Sequence, residues 1–143
     1  MCGILGSYPF KECGSTEFAD ALSLLDHRGP DHSGIDVVDE LIFGHTRLAV
    51  LDLDSRSNQP MLSADKNLSV VFNGEIYNFF QLKKELAGEY TFSTNSDTEV
   101  ILAAYEKWGE GAFKKMRGMF AIAIYDRKQK ELLLARDHVG KKP

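Results

Sequence analysis

The residue with the most chemistry to offer stands second in the chain. Cys2 follows Met1, and loss of that methionine, expected before so small a residue, leaves a thiol and a free α-amine on one residue. An α-amine has an unperturbed pKa of roughly 7.7–8.0, so part of it is neutral near pH 7 and can take the thiol proton, as N-terminal threonine nucleophiles do. The competing reading of position 2 is a small hydrophobe that begins a strand. The other cysteine, Cys13, is expected to be an inert thiol, because two cysteines are too few for a disulfide framework and lack the paired spacing of a zinc site.

Side chains able to join Cys2 fall in five strings: His27-Arg28-Gly29-Pro30-Asp31, Gly44-His45-Thr46-Arg47-Leu48, Asn73-Gly74-Glu75-Ile76-Tyr77-Asn78, Ser96-Asp97-Thr98-Glu99 and Arg136-Asp137-His138-Val139-Gly140. Each string has a plain structural reading. Arg47 can be a solvated charge at a strand end, Asn73-Gly74 an ordinary hairpin turn, and Asp97 a helix cap. His45, inside a strand, reads as a satisfied structural histidine, and Arg28 as scaffold or pocket closure. His27, Arg28, Asp31 and His32 lack fixed ligand spacing, so no metal site is expected.

The elements that must position these strings follow from periodicity. Cys2 to Tyr8 reads as a short strand, and Phe18, Ala21, Leu22 and Leu25 place one helical face over Ser15 to Asp26. Strands follow over Ile35 to Val38 and Leu41 to Val50, then a polar loop from Asp52 to Pro60. A β-rich run, Leu68 to Asn73, stops at the Asn73-Gly74 turn signal. Asn78 can cap a helix carrying Phe79, Leu82 and Leu86, and Ser96 to Glu99 fits a capping box for a helix ending before Gly109. Gly118 to Asp126 and Glu131 to Arg136 read as a hairpin whose first strand is apolar enough to be covered on both faces. Strands in adjacent runs, with helices grouped between them, predict an α+β fold of antiparallel sheets with helices packed outside.

Composition bounds what such a fold can do. A chain of 143 residues with 43% hydrophobic and 27% charged side chains is long enough for one well-buried core. Its net charge of −4, with both signs interleaved, offers no field for polyanions, so nucleic acid is not an expected partner. No apolar run approaches the roughly 20 residues of a membrane span. The first residues lack a signal peptide's basic and apolar regions, which predicts a cytoplasmic protein.

The five strings, in this order and with Met1-Cys2-Gly3-Ile4 at the start, resemble the glutaminase domain of glutamine-dependent asparagine synthetases. The resemblance spans the whole chain and implies the four-layer α/β/β/α sandwich of the N-terminal-nucleophile hydrolases. It also implies roles. Cys2 matches the nucleophile that attacks the side-chain amide of glutamine, forming a γ-glutamyl thioester while ammonia leaves. Asn73 and Gly74 match the oxyanion hole, Arg47 the arginine that grips the substrate α-carboxylate, and Glu75 and Asp97 the carboxylates near its α-ammonium group. Asp97, in a helix's first turn, is expected to be held ionised by the helix dipole. No cofactor is implied for this step.

In the resembled family a synthetase domain in cis, with a Ser-Gly-Gly-x-Asp-Ser type loop for ATP and Mg2+, uses the ammonia to amidate an activated aspartate. No such loop occurs in these residues. The chain is therefore expected to be one glutaminase domain over residues 1–143, incomplete at its C-terminus, whose open strand edges invite a homodimer. Amidation of another carboxylate, such as one on a surface sugar, and a catalytically inactive structural or regulatory module are the alternatives.

Overall fold

Hydrophobic alternation and helical periodicity build seven strands and four helices in a computed structural model that describes residues 1–9 and 14–142. Cys13 lies outside the described residues. The elements run β1 (Gly3–Ser7), α1 (Ser15–Ser23), β2 (His32–Val38), β3 (Leu41–Arg47), β4 (Met61–Leu62), β5 (Leu68–Ile76), α2 (Phe79–Leu86), α3 (Asp97–Trp108), α4 (Gly111–Lys115), β6 (Gly118–Asp126) and β7 (Glu131–Arg136). One sheet has the order β1-β3-β2 and the other β4-β5-β6-β7, and every pairing between these strands is antiparallel.

The period of two along each strand sorts side chains into three interfaces. Leu41 and Phe43 of β3 meet Val71 of β5 and Ala123 and Tyr125 of β6 between the sheets. Val70, Phe72, Ile122 and Ile124 point the other way, onto Leu82, Leu86, Ile101 and Leu102 of α2 and α3. Phe18 and Leu22 of α1 close over Gly44 on the outer face of the first sheet. The layers are therefore helix, sheet, sheet, helix, as the resemblance implies. Burying each large aliphatic side chain here contributes about 1.5–3 kcal/mol.

Several boundaries differ from the sequence reading, each for a local reason. The first helix ends at Ser23, and Asp26–Arg28 forms a separate 3₁₀ turn that swings the chain toward β3. Gly29 then passes so close to β3 that a Cβ there would lie 2.3 Å from the Thr46 carbonyl. β2 starts at His32, and β3 stops at Arg47 rather than Val50. The largest correction concerns Asn73-Gly74, which forms no turn. β5 runs straight through to Ile76, because Gly74 lets the β6 backbone approach where a Cβ would stand 2.1 Å from the Met119 carbonyl. Gly118–Asp126 and Glu131–Arg136 fall as expected, and β6 is buried along most of its length.

Candidate active site

Three segments fix Cys2 at the mouth of the sandwich. Thr46 links them: its hydroxyl accepts from the Gly3 N–H at 3.1 Å and donates to the Leu25 carbonyl at 3.1 Å. The Arg28 guanidinium donates through Nε to the Cys2 carbonyl at 3.1 Å, which gives the 3₁₀ turn a direct hold on the residue. The thiol itself rests on the backbone just past β3, with the Leu48 N–H 3.4 Å from Sγ and the Leu48 carbonyl 3.8 Å away. Arg28 is thus a scaffold for the cysteine. Asp31, from the same string, accepts the Ala49 N–H at 2.8 Å and braces the segment on which the thiol rests.

The strand opposite Cys2 carries an unusual row of donors. Alternate N–H groups of an antiparallel strand point to the same side. On β5 those of Phe72, Gly74 and Ile76 point away from β6, since Phe120, the residue opposite Gly74, exchanges its hydrogen bonds with Asp137 instead. β4 pairs only as far as Val70. The Phe72 N–H is then satisfied by the Gln59 side chain at 2.6 Å and the Ile76 N–H by Asp97 at 3.1 Å. Between them the Gly74 N–H faces a cleft lined by Cys2, Arg47, Gly74, Glu75 and Asp97. Asn73 is 5% exposed, and its side-chain amide has no hydrogen-bond partner among the described residues. It lines a small hollow that shares Cys2, Gly74 and Glu75 with the cleft. A thiol therefore stands beside two donors that the fold leaves uncommitted.

Charge is distributed across the same cleft. Arg47 is 6% exposed and is held by neutral oxygens of one loop: Nη1 donates to the Asp54 carbonyl at 3.0 Å and Asn58 Oδ1 at 2.7 Å, and Nη2 to the Leu51 and Asp52 carbonyls at 3.2 and 2.5 Å. No described carboxylate pairs with it. The Asn95 N–H donates to Asp52 Oδ2 at 2.6 Å, tying this loop to the start of α3. Glu75 and the buried Asp97 line the same cleft. Burial pushes the Asp97 carboxyl up to about 6, the Ile76 N–H opposes the rise, and the charge of Glu75 adds to it. Burial thus works against the ionised form expected of Asp97, which at about 6 still prevails at pH 7. Ser96 is the cap, accepting the Thr98 N–H at 3.1 Å, while Glu99 turns back to Ser93 and Thr94 instead of completing a capping box.

His45 is fully buried, and its Nε2 lies 3.3 Å from the Phe72 carbonyl, bridging the sheets behind the donor row. Its Nδ1 has no partner, so the expectation of a satisfied histidine holds for one nitrogen only. Burial lowers its pKa to about 4, against the Phe72 bond and with the help of Arg47 and His32, and the ring is neutral at pH 7. Gln59 escapes a sequence reading. It lies in a polar loop with no periodic signal, yet it satisfies Phe72 and donates to Thr98 Oγ1 at 3.2 Å.

All six residues singled out from the sequence lie around the cleft and its adjoining hollow. Two roomier cavities, of 560 and 520 Å³, lie elsewhere, the first around Tyr8, Asp39 and Tyr125 and the second around Asp65, Tyr105 and Asp126. A cleft lined by a cation, two carboxylates and a thiol beside paired donors complements a zwitterion that carries a reactive carbonyl.

Comparison with known proteins accords with this geometry. Residues 1–143 match the model of the family described as glutamine amidotransferase domain. The chain is 39% identical over 149 residues to the glutamine-hydrolysing asparagine synthetase 1 of Bacillus subtilis (strain 168), covering 100% of this chain and 23% of that protein. It is 40% identical over 143 residues to glutamine-hydrolysing asparagine synthetase B of Escherichia coli (strain K12), covering 98% of this chain and 26% of that one. The chain thus spans about a quarter of the length of the curated relatives it matches. Among solved structures it resembles the glutamine phosphoribosylpyrophosphate amidotransferase of B. subtilis, with a TM-score of 0.58 and 26% identity over 71% of this chain and 24% of that chain. The chain belongs to the glutamine amidotransferase domain family.

Proposed function

We propose that this chain is the glutaminase part of a glutamine-hydrolysing asparagine synthetase, acting once Met1 has been removed. Cys2 Sγ attacks the side-chain carbonyl carbon of glutamine while the α-amine of Cys2 takes the thiol proton. The carbonyl oxygen becomes an oxyanion that the Asn73 amide and the Gly74 N–H stabilise. Collapse breaks the C–N bond, the α-ammonium returns its proton to the leaving nitrogen, and ammonia departs from a γ-glutamyl thioester. Water then hydrolyses the thioester to glutamate and regenerates the thiol. The thiol and the amine account for every proton moved in forming the thioester, and the two donors carry the oxyanion's charge, so the step needs no cofactor.

Binding rests on the charged residues that line the cleft. Arg47 would take the α-carboxylate, exchanging neutral loop acceptors for a charged one in bonds roughly twice as strong. Glu75 and Asp97 would take the α-ammonium. The observation that carries the reading is the uncommitted Gly74 N–H, flanked by satisfied neighbours and facing the cleft that Cys2 lines. The ammonia would pass to aspartate activated with ATP and Mg2+ by a synthetase domain in the same polypeptide, in the cytoplasm; no residue of this chain is assigned to that chemistry.

Mass spectrometry for loss of Met1, with ammonia release from glutamine measured for the wild type and Cys2→Ala, tests the proposal. The variant is expected to lose detectable glutaminase activity. Unchanged ammonia release would remove Cys2 from the mechanism, and persistent retention of Met1 would favour a non-catalytic module, because an amide nitrogen cannot act as the base.

A further inference from the structure

We propose that Lys142 is a positioning residue for the Cys2 α-amine: its ammonium beside the nascent terminus keeps that amine neutral, and hence basic, at physiological pH. The proposal rests on the assignment of Cys2 as nucleophile and of its amine as base. Lys142 is 3% exposed, an uncommon setting for a lysine. Its Nζ donates to the sulfur of Met1, and no described carboxylate pairs with it. Met1 is joined to Cys2, so the ammonium lies within one side chain's reach of the nitrogen that becomes the α-amine. Lys142 also lines the hollow shared by Cys2, Asn73, Gly74 and Glu75.

The placement is built rather than incidental. Asp137 at the end of β7 accepts the Lys142 N–H at 3.1 Å, the Lys141 N–H at 2.8 Å and the Phe120 N–H at 3.1 Å, which binds the tail carrying Lys142 to β6. Charged groups facing Cys2 from the other elements are Arg28 on its carbonyl, Asp31 below the Leu48 segment, and Arg47, Glu75 and Asp97 around the cleft. Bound glutamine would neutralise Arg47 with its carboxylate and Asp97 with its ammonium. Glu75 and Lys142 would then act on the amine from the same hollow with opposite sign, Glu75 raising its pKa and Lys142 lowering it. Without Lys142 a smaller share of the amine is neutral at pH 7 and able to accept the proton on sulfur.

The test uses the full-length polypeptide with Met1 loss verified by mass, comparing the pH profile of glutaminase kcat for the wild type, K142M and K142R. In K142M the acidic limb is expected to move up by about one pH unit, which reads as about a fourfold loss at pH 7 and almost none at pH 9. K142R is expected to keep the wild-type limb. The pH dependence of Cys2 alkylation by iodoacetamide reads the same shift in a variant with poor turnover. An unmoved limb and unmoved alkylation profile in K142M, or a K142R that behaves like K142M, overturns the proposal. A Cys2→Ala protein that still releases ammonia overturns the underlying reading as well; an inactive Cys2→Ala protein with an unmoved K142M limb defeats the lysine's role alone.

Discussion

Replacing Asp97 by asparagine should stabilise the protein at neutral pH while weakening its binding of glutamine about tenfold. Burial raises the Asp97 carboxyl from 3.8 to about 6, so the folded state holds this proton more tightly than the unfolded state. Stability from such a group is complete below pH 3.8 and is lost as pH rises through about 6; the gap corresponds to about 3 kcal/mol at pH 7. Asparagine escapes that cost and keeps an oxygen to accept the Ile76 N–H, which now reaches Asp97 at 3.1 Å. The ceiling is thus about 3 kcal/mol, or about 10 °C in Tm for a domain of this size. His45 works in the opposite direction. Its pKa is lowered from 6.5 to about 4, so its contribution is complete above pH 6.5 and disappears as pH falls through about 4. The two largely cancel in the wild type, whereas D97N exposes the acid lability due to His45. Trp108, the single tryptophan of the chain, reports unfolding by fluorescence between pH 4 and 8. A D97N protein less stable than wild type by the same amount at every pH would refute the desolvation account and leave Asp97 as a structural acceptor.

The remaining predictions concern binding and turnover. Glutamine affinity should fall about tenfold between pH 7 and pH 5 as Asp97 takes up its proton, measured by calorimetry, and D97N should flatten that dependence. Asn73→Ala should lower kcat by about 10²–10³ with little change in KM, since its amide acts on the oxyanion. Gly74→Ala should reduce Tm sharply, because its Cβ would meet the Met119 carbonyl at 2.1 Å. Arg47→Ala should weaken glutamine binding and also raise hydrogen exchange over residues 51–58, because four loop oxygens lose their donor.

How far the site was legible in the sequence depended on whether local signals and tertiary demands agreed. The β6 and β7 boundaries were readable because alternation, the Arg127 to Lys130 turn and burial on both faces of β6 all point the same way. Asn73-Gly74 reads as a turn because the dipeptide is a strong local turn signal. The decisive constraint is the approach of β6, which no window around residue 73 contains. Gln59 and Lys142 were invisible as site residues for a related reason. One satisfies a strand N–H from a loop without periodicity, and the other reaches the hollow only because Asp137 folds the tail back onto β6.

The extended course of β5 through Gly74 also explains why Asn73 and Gly74 can serve together. In a hairpin turn both residues would spend their polar groups closing the chain. In an extended strand, period two sends the Gly74 N–H sideways past the end of β4 and the Asn73 side chain out of the sheet plane, so the donors arrive from orthogonal directions. β4 must be short for this to work. It pairs only Met61 with Val70 and Leu62 with Ser69; in the same register position 59 would fall opposite Phe72 and position 57 opposite Gly74, covering the donor row. Gln59 and Asp97 then satisfy the flanking N–H groups with side chains, leaving one gap, at Gly74. Extending β4 by four residues, so that position 57 pairs with Gly74, should therefore abolish ammonia release from glutamine while raising Tm, a pairing of effects that loss of folding could not produce.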